Sequence, residues 1–180
     1  MAISYELARS DRKTIGIYVK PNGDVIVRAP RRASVKSIER FVQSKADWIE
    51  TALQKLASRP TLPKLTDEER KELMAHAKET IPPLVEEIAS KLGISYGRVT
   101  IRLQHTRWGS CSAKGNLNFN ALLMFAPREV MLYVIVHELC HRRELNHSKA
   151  FWALVASVMP SYRSCEQWLK ENGTALMSRL

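Results

Sequence analysis

The chain has 180 residues, 45% of them hydrophobic and 26% charged, with a formal net charge of +10. That length and apolar content allow one substantial core, or a core with a small appended element. The longest apolar runs, 121–127 and 131–136, fall far short of the roughly 20 residues that span a bilayer, which excludes a membrane helix.

The start, Met-Ala-Ile-Ser-Tyr-Glu, has no long apolar stretch after a basic region, so no secretory signal is expected. Cys111, Cys140 and Cys165 are an odd, widely spaced set with no C-x-x-C pair, which predicts reduced thiols and a soluble, cytoplasmic protein. The charge is uneven: residues 1–65 carry 13 Lys and Arg against 6 Asp and Glu, whereas residues 66–180 carry 15 against 12. A basic N-terminal region of that kind attracts polyanions, so nucleic acid is a possible partner through it; a generically soluble basic face explains the same charge.

Ile3 to Arg9, Thr14 to Lys20 and Val25 to Ala29 read as short strands, with a hairpin turn at Pro21-Asn22-Gly23-Asp24. Ser34 caps a helix reaching about Leu56. Arg59-Pro60-Thr61-Leu62-Pro63 reads as a linker, dividing a basic strand and helix element, 1–60, from a catalytic core, 61–180, within what is expected to be one compact domain. A second helix opens with the capping box Thr66 to Glu69 and ends at Gly93, and Pro82-Pro83 predict a kink or a split in it. Arg98 to Gln104 and Leu117 to Leu122 read as strands, the latter with Leu117, Phe119 and Ala121 buried and Asn116, Asn118 and Asn120 wet. Pro127 begins a further helix, Ser148 caps one from Lys149, and a last helix spans about Ser164 to Glu171.

The chemistry is concentrated in the eleven residues from His137 to His147. Residues four apart on a helix lie about 6 Å apart on one face, so His137 and His141 can share one metal ion, with Glu138 beside it as general base. If the helix continued, His147 would lie about 15 Å along the axis from His137, too far for a shared ion. The helix must therefore end first, and Asn146 is the candidate for a left-handed turn that brings His147 back. Three histidine ligands leave a position open for water, as catalytic zinc sites do and closed structural ones do not. His76 and His105 read as surface histidines.

Arg107-Trp108-Gly109-Ser110-Cys111-Ser112, Asn118-Phe119-Asn120, Ala126-Pro127, His137 to His147 and Phe151-Trp152, together with Val27-Arg28-Ala29-Pro30 and Trp48-Ile49, resemble the YgjP-like metallopeptidase family, relatives of the SprT-like and Spartan proteases. The resemblance covers nearly the whole chain. It implies an α+β, small zincin-type metallopeptidase fold, zinc held by His137, His141 and His147, and Glu138 as the catalytic acid and base. The histidine spacing equals that of metzincins, but Glu144 stands where those enzymes have Gly, and Met159 is not their Met-turn. A rival third ligand is Glu166 or Glu171 on the last helix, as in gluzincins.

The function expected is peptide-bond hydrolysis by a Glu138-activated zinc water, with a protein or peptide substrate. Hydrolysis of a nucleotide phosphoanhydride is the alternative, and a binding protein with a structural metal is the third reading. Arg107, Arg142 and Tyr162 are candidate oxyanion donors, and the strand Leu117 to Leu122, if it lies at the sheet edge, could pair with an extended peptide.

Overall fold

Val25, Val27 and Ala29 alternate with less buried neighbours, and this period of two makes their strand the centre of the first sheet. The computed structural model describes residues 3–20, 22–57 and 62–180. It comprises two compact units, Met1–Pro60 and Thr61–Leu180. In the first, strands β1 (Glu6–Ser10), β2 (Gly16–Val19) and β3 (Val25–Pro30) have the order β1-β3-β2, with β1 parallel and β2 antiparallel to β3. The β2–β3 turn closes through the Lys20 amide on the Asp24 carbonyl at 2.8 Å, and Gly23 takes φ of +89°. Pro21 of the expected turn lies outside the described residues, as do Arg59, Pro60 and Thr61 of the expected linker.

Instead of one helix from Ser34 to Leu56 there are two, α1 (Val35–Gln43) and α2 (Ala46–Ala57). The Ser44 hydroxyl donates to the Phe41 carbonyl at 2.7 Å, a local bond that competes with helix continuation and ends α1. Ile38, Val42 and Ile49 pack with Val25, Val27 and Ala29 to form this unit's core.

The second unit is built on α3 (Asp67–Leu92), whose Thr66 capping box and left-handed Gly93 cap are both present. α3 is one helix through Pro82 and Pro83, so of the expected kink or split the split does not occur. Its buried stripe Leu73, Ala77, Ile81, Val85 and Ala89 explains the difference: packing on both sides of the prolines outweighs the two helical bonds they forgo.

Strands β4 (Val99–Arg102), β5 (Gly109–Cys111) and β6 (Leu117–Asn120) have the order β4-β6-β5. β6 is thus central, parallel to β4 and antiparallel to β5, and it offers no free edge to a peptide. β5 is an edge strand and packs on α4 (Arg128–Cys140). Beyond α4 come α5 (Lys149–Val158), capped by Ser148 as expected, and α6 (Tyr162–Met177). α6 continues past Gly173, where an end is expected. The Trp108 indole lies only 3.2 Å from where a Cβ would project, so this glycine makes room for a ring inside the helix.

Asn120, expected to be wet, is fully buried. Its side-chain amide donates to the carbonyls of Gln104 at 2.7 Å and Arg107 at 2.9 Å, and its oxygen accepts from the Leu122 amide at 3.1 Å. It therefore ties the segment before β5 to the 3₁₀ turn at Ala121–Phe125. Asn120→Ala leaves two carbonyls and an amide without these partners, so we expect a loss of about 3 kcal/mol in chemical denaturation. A loss under about 1 kcal/mol would show that water replaces the amide without strain.

Candidate metal centre

α4 is buried on nearly every side, and its last turn carries His137 and Glu138. It ends at Cys140 because the chain tightens: the Arg142 amide bonds the Leu139 carbonyl at 2.9 Å, and the Arg143 and Glu144 amides bond the Cys140 carbonyl at 3.0 Å. No described residue other than glycine has positive φ, so Asn146 is not the left-handed turn residue it was expected to be. The return is made instead by this tightened turn and by the Ser148 amide on the Asn146 carbonyl at 2.7 Å. Ser148 then caps α5 through the Phe151 amide at 3.3 Å, which fixes the position of His147 just ahead of it.

One ring nitrogen from each of His137, His141 and His147 lies within 4.8 Å of the other two. The Nε2 atoms of His137 and His147 are 2.9 Å apart. His141 Nδ1 is 3.0 Å from the Glu144 carbonyl, a contact that places the proton on Nδ1 and leaves the Nε2 lone pair free. Burial first, and then the neighbouring histidines, push His137 down to about 3, and burial likewise lowers His141. Both rings are therefore neutral lone-pair donors at physiological pH. Phe151 packs against all three, at centroid distances of 4.5 to 4.9 Å, and dries one side of the cluster.

Glu138 is 6% exposed, and burial pushes its carboxyl up to about 8 against the opposing charge of Arg107. The space for that carboxyl is made by Gly109 of β5: a Cβ there would lie 2.7 Å from both Cγ and Oε1 of Glu138. Gly109→Ala must push the carboxyl out of place, because real Cβ contacts are never that short. We expect it to lower turnover about 100-fold, in proportion to the loss of a positioned base, while zinc binding stays within about threefold. Equal turnover in Gly109→Ala would mean that Glu138 has another productive position.

The cluster tests the alternatives for the third ligand. Glu166 pairs with Lys170 at 2.9 Å and Glu171 accepts from Gln167 at 2.7 Å, and neither belongs to the cluster. His76 and His105 are exposed and apart from it. Cys140 and Cys165 are buried, Cys111 is half-buried, and all three are free. Arg142 is held by the Ser95 carbonyl at 3.0 Å and lies against Gly115, which occupies its guanidinium. Tyr162 stacks on Trp152 at 5.4 Å and lines a groove beside His147. Arg107 is the oxyanion candidate whose charge reaches Glu138. Sequence reasoning did not single out β5 or the role of Gly109; the glycine between Trp108 and Ser110 was the available signal.

Three imidazoles without a thiolate suit zinc and other borderline divalent ions, and in a tetrahedral zinc site they leave one position open. His137 Nδ1, buried and without a hydrogen-bond partner, leaves that ring's orientation to packing against Tyr133 and Phe151.

The sequence pattern of the family described as "YgjP-like, metallopeptidase domain" matches residues 13–76 and 63–172. The UTP pyrophosphatase of Escherichia coli (strain K12) is 33% identical over 58 residues, which are 32% of this chain and 35% of that protein, so the match spans about a third of that relative's length. Among solved structures, the metallopeptidase zymogen of Pyrococcus abyssi abylysin is similar with a TM-score of 0.46 and 24% identity, covering 51% of this chain and 94% of that one. The metallopeptidase zymogen of Methanocaldococcus jannaschii jannalysin has a TM-score of 0.45 and 22% identity, with the same coverage. The family match takes in most of both units, including the three histidines and Glu138: the chain belongs to the YgjP-like metallopeptidase family.

Proposed function

We propose that this chain is a zinc-dependent hydrolase in which Glu138 takes the proton from the attacking water and hands it to the leaving group. The observation that carries the reading is the convergence of three histidine nitrogens within 4.8 Å, with the Glu138 carboxyl on the residue that follows the first of them on the same helix. A zinc ion held by His137, His141 and His147 would supply Lewis acidity and bring a water's pKa near 7. Burial and the Gly109 contact hold the Glu138 carboxyl in one position, and Phe151 keeps solvent off one side of the cluster. The neighbouring cation of a loaded site acts against burial, favouring the carboxylate form that a base requires.

A peptide bond is the first reading of the substrate. It is supported by the family and by β5, whose unpaired edge lies on the strand that packs against Glu138 and could add an extended peptide as a further strand. A phosphoanhydride is the second, because the same activated water can attack phosphorus. It is favoured by the cationic groove beside His147 and by the pyrophosphatase name of the Escherichia coli relative. The zinc-loaded protein should be offered denatured casein and, separately, nucleoside triphosphates, each with and without chelator. Peptide fragments that disappear with chelator and return with zinc support the first reading. Chelator-sensitive release of phosphate or pyrophosphate with intact casein supports the second, and chelator-resistant activity on both would overturn the proposal.

A further inference from the structure

A groove of about 710 Å³ adjoins the metal centre, with His147 as part of its wall. Lys149, Arg163 and Lys170 line it, and Glu166 is its one carboxylate. Glu166 pairs with Lys170 at 2.9 Å and its charge also reaches Arg163, but among the described residues neither Lys149 nor Arg163 forms an ion pair within 4.0 Å, so the groove keeps an excess of positive charge. Arg163 is exposed, and its Nε lies 3.4 Å from the Tyr162 hydroxyl. Lys149 opens α5, while Tyr162 and Arg163 open α6, so the positive ends of two helix dipoles lie at the same wall.

The groove is also firmly built. His147, Trp152 and Tyr162 stack in sequence, with ring centroids 5.6 and 5.4 Å apart and interplanar angles of 28° and 19°. This stack joins the turn after α4 to α5 and α6, the two helices that carry the cations. The indole stacks between two protein rings, and Lys149, Arg163 and Lys170 give the groove its charge. An excess of cations in a groove that shares His147 with a hydrolytic centre recognises a substrate group bearing several negative charges close to the bond that is cut.

We propose that this groove is the subsite for a phosphate chain carried by the substrate, with Lys149 and Arg163 as its main counter-charges. The proposal rests on the hydrolase reading of the adjoining centre and develops its phosphoanhydride form. Arg163 presents a planar fork that can hold two phosphate oxygens together, while Lys149 acts as a point charge. Both are specificity determinants and take no part in the proton transfers assigned to Glu138.

The test uses zinc-loaded Glu138→Gln protein, so that binding is read without turnover, and inorganic tripolyphosphate as the probe in calorimetry. Adding Lys149→Ala and Arg163→Ala should weaken tripolyphosphate binding about 100-fold, roughly tenfold for each cation. Adding Lys36→Ala and Arg40→Ala on α1, which remove equal charge from the other unit, should leave it within twofold. A tetra-aspartate peptide should bind at least tenfold more weakly than tripolyphosphate. Unchanged tripolyphosphate affinity in the Lys149 and Arg163 variant would overturn the subsite, as would equal binding of the aspartate peptide. In the parent chain with Glu138 intact, the groove variant should raise KM for a nucleoside triphosphate with kcat within twofold. If nucleoside triphosphates are cleaved with unchanged KM, the phosphoanhydride reading survives and the groove assignment fails. If tripolyphosphate depends on the groove cations but no nucleoside triphosphate is cleaved, the substrate reading fails and the anion subsite stands.

Discussion

Glu138→Gln is expected to reduce turnover by about 100- to 10,000-fold, the range that separates a positioned general base from none. The amide has nearly the same shape as the carboxyl and fits the same space beside Gly109, so the fold should be retained. Stability should hold or rise slightly, because a buried carboxyl that burial pushes up to about 8 is replaced by a group that never ionises. Zinc content, measured after gel filtration, should remain one per chain. This combination distinguishes an acid and base from a structural residue: a binding protein whose metal only holds the fold would show no measurable turnover to lose. Substantial activity in Glu138→Gln would move the base to another group.

His147→Ala should have its effect on the metal. His147 is exposed and lies on the turn between α4 and α5, so its removal leaves both helices and their cores in place. Loss of even an outer-shell partner of a metal ligand typically costs 10- to 100-fold in metal affinity, so loss of one of three ligands should cost more than about 100-fold. Competition with a chromophoric chelator gives this directly. Affinity within threefold of the parent would show that another residue completes the site, and Glu166 across the groove would be the first to replace.

The centre was legible in the sequence because it is nearly local. His137, Glu138 and His141 are ordered by the period of one helix, and the impossibility of reaching His147 along that helix forces a turn. Ser148 was readable as a cap for the same reason: its hydroxyl needs only the amide three residues on. How the turn is made was not legible. Asn146 was a reasonable left-handed residue, but repeated bonding to the Cys140 carbonyl reverses the chain without one.

What required the folded chain was burial imposed by other elements. Pro82 and Pro83 left a split helix open as a reading until Ile81 and Val85 are seen packed on either side of them in one helix. Asn120 read as wet by alternation, yet three groups from Gln104, Arg107 and Leu122 surround it. Leu117 to Leu122 looked like a possible edge, and only pairing on both sides shows that β5 is the edge strand instead. The place of Gly109 against Glu138 joins residues 29 positions apart, and a glycine's lack of a side chain gives no periodic signal of what approaches it.

X-ray absorption at the zinc edge, on protein carrying one zinc per chain, tests the central claim most directly. The account predicts three imidazole nitrogens and one further light ligand at about 2.0–2.1 Å, with the nitrogen count falling to two in His147→Ala. Sulfur at about 2.3 Å, or four protein nitrogens in the parent chain, would contradict it.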